Sequence, residues 1–195
     1  MSTAENIQPC RSSNRSEASV CGQMSDVEAR LPFALRGVDS DNGGEFSNQQ
    51  LVKYLAGRTP PVAFTRARPY RKNDPAHIAQ KNFTNVRQWF GYERYEHAAV
   101  WPLVNTLCQG ALNQLRNYFL PTMKLARKER VGRKTVRHYG VTQTPLARVL
   151  ACAEVTAETK QRLRHERATL NAFALRREVD RQMREIEACR RRAEA

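Results

Sequence analysis

Residues 31–65 constrain the fold more than any other part of the chain. A short apolar segment (31–40), with Val38 near its end, stops at the polar cluster Asp39-Ser40-Asp41-Asn42-Gly43-Gly44, where two glycines let the backbone turn sharply. Residues 46–55 then place Phe46, Leu51, Tyr54 and Leu55 at helical spacing and end at Gly57, ahead of Pro60-Pro61. A second strand-like run follows at 62–65. The order read here is strand, turn, helix, strand.

Downstream the pattern is helical. Past the basic stretch 66–72, Asp74 is placed to cap a helix that opens at Pro75 and runs through Ile78, Phe83, Val86 and Trp89 to Gly91. Between 96 and 119, Val100, Leu103, Val104, Leu107, Ala111, Leu112, Leu115 and Phe119 recur at three and four, predicting one long core-facing helix with Pro102 in its first turns. Residues 124–138, within a segment 121–143, read as a basic linker. Thr144-Pro145 opens a short helix through Leu146, Val149 and Leu150. Two further helices are expected over 157–170 and 172–191, the second capped by Asn171 and striped by Leu175, Val179, Met183 and Ile186. That stripe suits a homo-oligomer contact as well as a core. Residues 1–27 are rich in Ser, Asn, Gln and Glu and are expected to be disordered, because they carry too little apolar surface to offset ordering entropy.

Charge narrows the partner. The chain of 195 residues holds 33 Lys and Arg against 19 Asp and Glu, a net charge of +14, which implies a polyanion. Nucleic acid suits it best, bound through counterion release that weakens with salt. Near the C-terminus, by contrast, Arg176, Arg177, Arg181, Arg184 and Arg190 interleave with Glu178, Asp180, Glu185 and Glu187, and a solvated face explains much of that run. Trp89, Phe90, Tyr92 and Tyr95 fit packing against the following helix at least as well as stacking on bases. No stretch approaches the length of a membrane span and none has signal-peptide character, so a cytoplasmic location is expected. Five scattered cysteines without a CxxC pair are expected to be reduced thiols.

The turn after the first strand is where a carboxylate is delivered to a metal. Asp41 there offers the hard oxygen donors that Mg²⁺ prefers, though a glycine-rich acidic turn is equally an ordinary surface loop. The segment 36–46, with its Asp-Asn-Gly-Gly-Glu-Phe run, resembles the region around the second catalytic aspartate of retroviral-type integrases and insertion-sequence transposases. Residues 66–81 (Arg-Ala-Arg-Pro-Tyr-Arg-Lys-Asn-Asp-Pro-Ala-His-Ile-Ala-Gln-Lys) resemble the segment carrying their third acid, and the likeness extends over roughly 28–190.

The resemblance implies an RNase H-like fold in which three carboxylates bind two Mg²⁺ or Mn²⁺ ions and drive strand transfer in DNA integration and transposition. Asp41 matches the second acid and metal ligand. The place of the third falls on Ala79, 79 − 41 = 38 positions further on, which cannot bind a cation. The first is expected on an early strand further upstream than the 40 residues before Asp41 reach, and Asp26, the lone aspartate of 1–30, is in no strand-like run. The expectation is therefore a partial RNase H-like core (28–120) lacking its first strands, a basic linker (121–143) and a C-terminal helical region (144–195). Such a chain would bind DNA without strand transfer, alone or as a regulatory partner of an intact transposase. Arg66, Arg68, Tyr70, Arg71, Lys72 and Lys81 form the aromatic and basic cluster expected to contact DNA.

Overall fold

The computed structural model describes residues 17–40, 49–66, 83–93, 95 and 97–194, with the backbone alone at 17–20, 39, 49, 50 and 66. The architecture is mixed α/β, as expected, with two small sheets of two strands among helices. The described residues form two compact units, one over 17–105 with 186–194, the other over 106–185.

In the first unit, α1 (Glu17–Arg30) precedes β1 (Gly37–Ser40), α2 (Gln49–Ala56) and β2 (Ala63–Arg66). β1 and β2 pair in parallel, from Gly37 opposite Ala63 to Ser40 opposite Arg66, with α2 in the connection between them. A parallel pair needs a crossover and a covered face, and the spacing of α2 supplies both. Leu51 and Leu55, one turn apart, are fully buried and join Val62 in a core against which Leu35, Val38 and Phe64 pack.

Helix α1 corrects the expectation of a disordered leader, which fails over residues 17–27. Its amphipathic signal is weak, and what holds it is tertiary: Cys21 and Met24 pack against the α2 core. At its last turn the Glu28 carboxylate accepts hydrogen bonds from the Tyr54 hydroxyl and the Arg58 guanidinium. Burial, and then the Glu28 carboxylate, push the Tyr54 hydroxyl above its usual range.

The helix expected through Phe83 and Trp89 is present from Phe83, as a π turn (Phe83–Arg87) continued by α3 (Gln88–Phe90) and stopped at Gly91, whose φ is 65°. Its expected start at Asp74-Pro75 lies outside the described residues. The single long helix expected over 96–119 is corrected to three pieces: a 3₁₀ turn (Ala98–Val100), α4 (Trp101–Gln109) and α5 (Ala111–Tyr118). Gly110 makes the break with φ −102° and ψ −113°, and a Cβ there would come 2.9 Å from the Thr106 carbonyl oxygen. Apolar spacing runs on across it, since Leu107, Ala111, Leu112 and Leu115 are all buried.

In the second unit the expected linker over 124–138 is instead a β-hairpin of β3 (Leu125–Val131) and β4 (Lys134–Tyr139). Then follow α6 (Pro145–Ala151), α7 (Ala157–Thr169) and the greater part of α8 (Ala172–Glu194). Their N-termini are fixed by side chains: Thr144 Oγ1 accepts from the Ala147 amide at 3.1 Å, Thr156 Oγ1 from Thr159 at 3.2 Å, and Asn171 Oδ1 from Phe173 and Ala174 at 3.0 Å. Leu112, Leu115, Val149, Leu163 and Val179 are buried. On α8, Val179 and Ile186 are fully covered within one chain, so much of the stripe that would serve a homo-oligomer is already occupied. Among the described residues no cysteine is in a disulfide and no helix is long and apolar enough to cross a membrane.

Candidate nucleic-acid interface

Two places in the chain gather chemistry that bears on a polyanion. The first is the carboxyl edge of the β1–β2 pair. Because the strands are parallel and Ser40 pairs with Arg66, the chain leaves both at the same edge. Asp41 follows Ser40 directly, and the stretch 67–81 follows Arg66, so the two segments of the resemblance emerge side by side. This is where ligands sit in open α/β sheets. Asp41, Arg68, Tyr70, Arg71, Lys72, Ala79 and Lys81 themselves lie outside the described residues, and Arg66 is placed in β2 by its backbone. Ser40 is 5% exposed, and its hydroxyl has no hydrogen-bond partner among the described residues.

Among the described residues no group of three His, Cys, Asp or Glu side chains could hold a metal ion. In the sequence, alanine stands at 79, where the resemblance places the third acid, and it offers no donor to a cation.

The second place is the β3–β4 hairpin, which the sequence reading missed. Its signal was Val131-Gly132-Arg133-Lys134: a two-residue connection whose first residue, Gly132, has φ 62°, flanked by β-branched Val131, Thr135 and Val136. The strands are exposed along almost their whole length. Between Leu125 and Tyr139 they and their turn carry Arg127, Lys128, Arg130, Arg133, Lys134 and Arg137 against one acid, Glu129.

The hairpin is anchored at its open end. Thr122 and Gln143 exchange backbone hydrogen bonds of 2.9 and 3.2 Å, and the Gly140 amide donates to the Lys124 carbonyl at 2.9 Å. The Arg148 guanidinium on α6 donates to the Thr122 hydroxyl at 2.6 Å and to its carbonyl.

The aromatic residues divide. Phe90 and Tyr95 are buried in edge-to-face contact with centroids 5.7 Å apart, and the Tyr95 hydroxyl donates to the Phe90 carbonyl at 3.0 Å. Burial is the main cause holding that hydroxyl above its usual range. The packing reading therefore holds for these two. Tyr92 is exposed, with the Arg87 guanidinium 4.7 Å from its ring centre. In the second unit, Arg167 covers Phe119 at 3.8 Å. Burial, then a hydrogen bond with Glu166, raises the Tyr118 hydroxyl.

What the described residues define is a mixed α/β chain with a short parallel strand pair and an exposed cationic hairpin. The chain is similar to the uncharacterized protein y4rM of Sinorhizobium fredii (strain NBRC 101917 / NGR234), with 34% identity over 134 residues that cover 69% of this chain and 37% of that protein. It thus spans well under half the length of this relative. No protein-family model and no solved structure matches the chain.

Proposed function

We propose that this chain is a DNA-binding protein of the transposase and integrase type, built on part of an RNase H-like fold, that binds DNA without carrying out strand transfer. The observation that carries the reading is the parallel register of β1 and β2. It brings Ser40, which Asp41 follows in the sequence, and Arg66, which opens the basic stretch, to one sheet edge, in keeping with the resemblance of those two segments. The net charge of +14 supplies the attraction for phosphate. Alanine at 79 removes a ligand that two-metal chemistry requires. A cytoplasmic location accords with this reading.

The test uses the folded chain, supercoiled plasmid, and Mg²⁺ or Mn²⁺. The expected outcome is retention of the plasmid that weakens with salt, and no metal-dependent nicking. Nicking that disappears in Asp41→Ala would overturn the non-catalytic reading, and absence of any DNA retention at low salt would overturn the DNA-binding one.

A further inference from the structure

The two faces of the β3–β4 hairpin differ in charge. Residues that stand opposite one another in an antiparallel ladder share a face, so the register assigns Arg127 with His138, Glu129 with Val136, and Val131 with Lys134 to one side. On that side the Glu129 carboxylate accepts from the Arg127 guanidinium at 3.3 Å and lies 3.0 Å from His138 Nε2, so of its cations Arg127 is answered within the hairpin and Lys134 is not.

The other side holds Lys128 opposite Arg137, and Arg130 opposite Thr135. It has no acid of its own, and among the described residues no ion pair reaches Lys128, Arg130 or Arg137; Arg130 donates to the Gly132 carbonyl at 3.3 Å. Like charges directly opposite each other destabilise a ladder. A face built this way lowers its own stability unless an anion lies against it.

We propose that this face of the hairpin is a DNA-contacting ribbon that lies in the major groove of a duplex, with Lys128, Arg130 and Arg137 on its phosphates. Two strands about 4.8 Å apart form a ribbon narrow enough for a B-form major groove about 12 Å wide, whereas the major groove of duplex RNA is too narrow and deep to admit it. Lysine and arginine reach phosphate oxygens as charged donors, and the Thr135 hydroxyl adds a neutral one. The clamp of Arg148 on Thr122 fixes the open end of the ribbon to α6, so that the ribbon is presented by a folded support. The inference rests on the reading of the chain as DNA-binding and adds which surface meets the duplex.

The experiment measures fluorescence anisotropy of a labelled 25-base-pair DNA duplex of arbitrary sequence with the full chain across a salt series. Lys128→Gln/Arg137→Gln is expected to weaken binding about tenfold or more near 0.1 M salt and to lower the salt slope by about 2. Its melting temperature should be unchanged or higher, because a like-charge pair is relieved. Arg164→Gln/Arg177→Gln removes the same charge from α7 and α8 and should change affinity little; an equal loss there would reduce the effect to bulk charge and overturn the ribbon. Unaltered affinity and slope in Lys128→Gln/Arg137→Gln, with wild-type binding intact, would overturn the ribbon alone. Failure of the wild-type chain to bind DNA at low salt would overturn the DNA reading and the ribbon with it. Tighter binding of a duplex RNA of equal length would overturn the groove geometry.

Discussion

The β1–α2–β2 unit and the β3–β4 hairpin each contain one pair of short strands, and almost nothing else about them is alike. In the first, the strands are parallel, the connection is a helix, and stability comes from Leu51, Leu55 and Val62, none more than 6% exposed. In the second, the strands are antiparallel, the connection is two residues, and no side chain of either strand is buried. One pair exists to close a core and, in doing so, sets the direction in which two loops leave it. The other presents nearly every side chain it has. The two strand pairs therefore answer different questions: what a sheet supports, and what it displays.

The largest effect should come from removing the core. Leu55→Ala is expected to cost about 2–5 kcal/mol in urea unfolding, since the side chain is fully buried. A loss under about 1 kcal/mol would mean that the parallel pair is not held by burial at all. Gly132→Ala forces a side chain into positive φ and is expected to cost about 1–2 kcal/mol, read as faster amide exchange confined to β3 and β4. Should the α2 amides exchange faster as well, the two regions would be one cooperative structure. Arg148→Ala removes the donors to Thr122 and should loosen the open end of the hairpin by about 1 kcal/mol, seen at the amides of Thr122 and Gln143 before those near the turn.

The smallest effect probes a third regime, surface charge on α8. Hydrogen bonds from Arg181 hold the Glu178 carboxyl down to about 2, and those from Arg190 and Arg191 do the same for Glu187, against an ordinary value of 4.5. Because the folded values are depressed, the stabilisation is complete above about pH 4.5 and is lost as pH falls towards 2. Both carboxylates are solvent-accessible, so the loss of helical circular dichroism over that window should be slight and smaller still at high salt.

What could be read from the sequence was local. Thr144 and Asn171 mark helix starts because capping is a matter of one side chain and the next three amides. The strand, helix and strand at 37–40, 49–56 and 63–66 were legible because their apolar spacing and the glycine and prolines after the helix agree. The leader misled because α1 has little amphipathic character of its own; Cys21 and Met24 gain their meaning from α2, thirty residues away in the chain. Gly110 was hidden by apolar residues that continue their spacing across the break. The hairpin was hidden for a different reason: its faces are sorted by charge partner, and a search for alternating apolar residues finds nothing to follow. Of the site, the strands ending at Ser40 and Arg66 could be read from the sequence, whereas the cationic face depended on a register that only pairing reveals.

An exposed two-stranded ribbon also has two open edges, and open edges ordinarily recruit further strands. Here any second copy approaching in the same way would bring the same cations to the same place, and that repulsion opposes such pairing. A polymer of phosphates would cancel that repulsion along its length. Were DNA bound as proposed, the face that opposes pairing between free copies would become the one at which bound copies first meet, strand edge to strand edge.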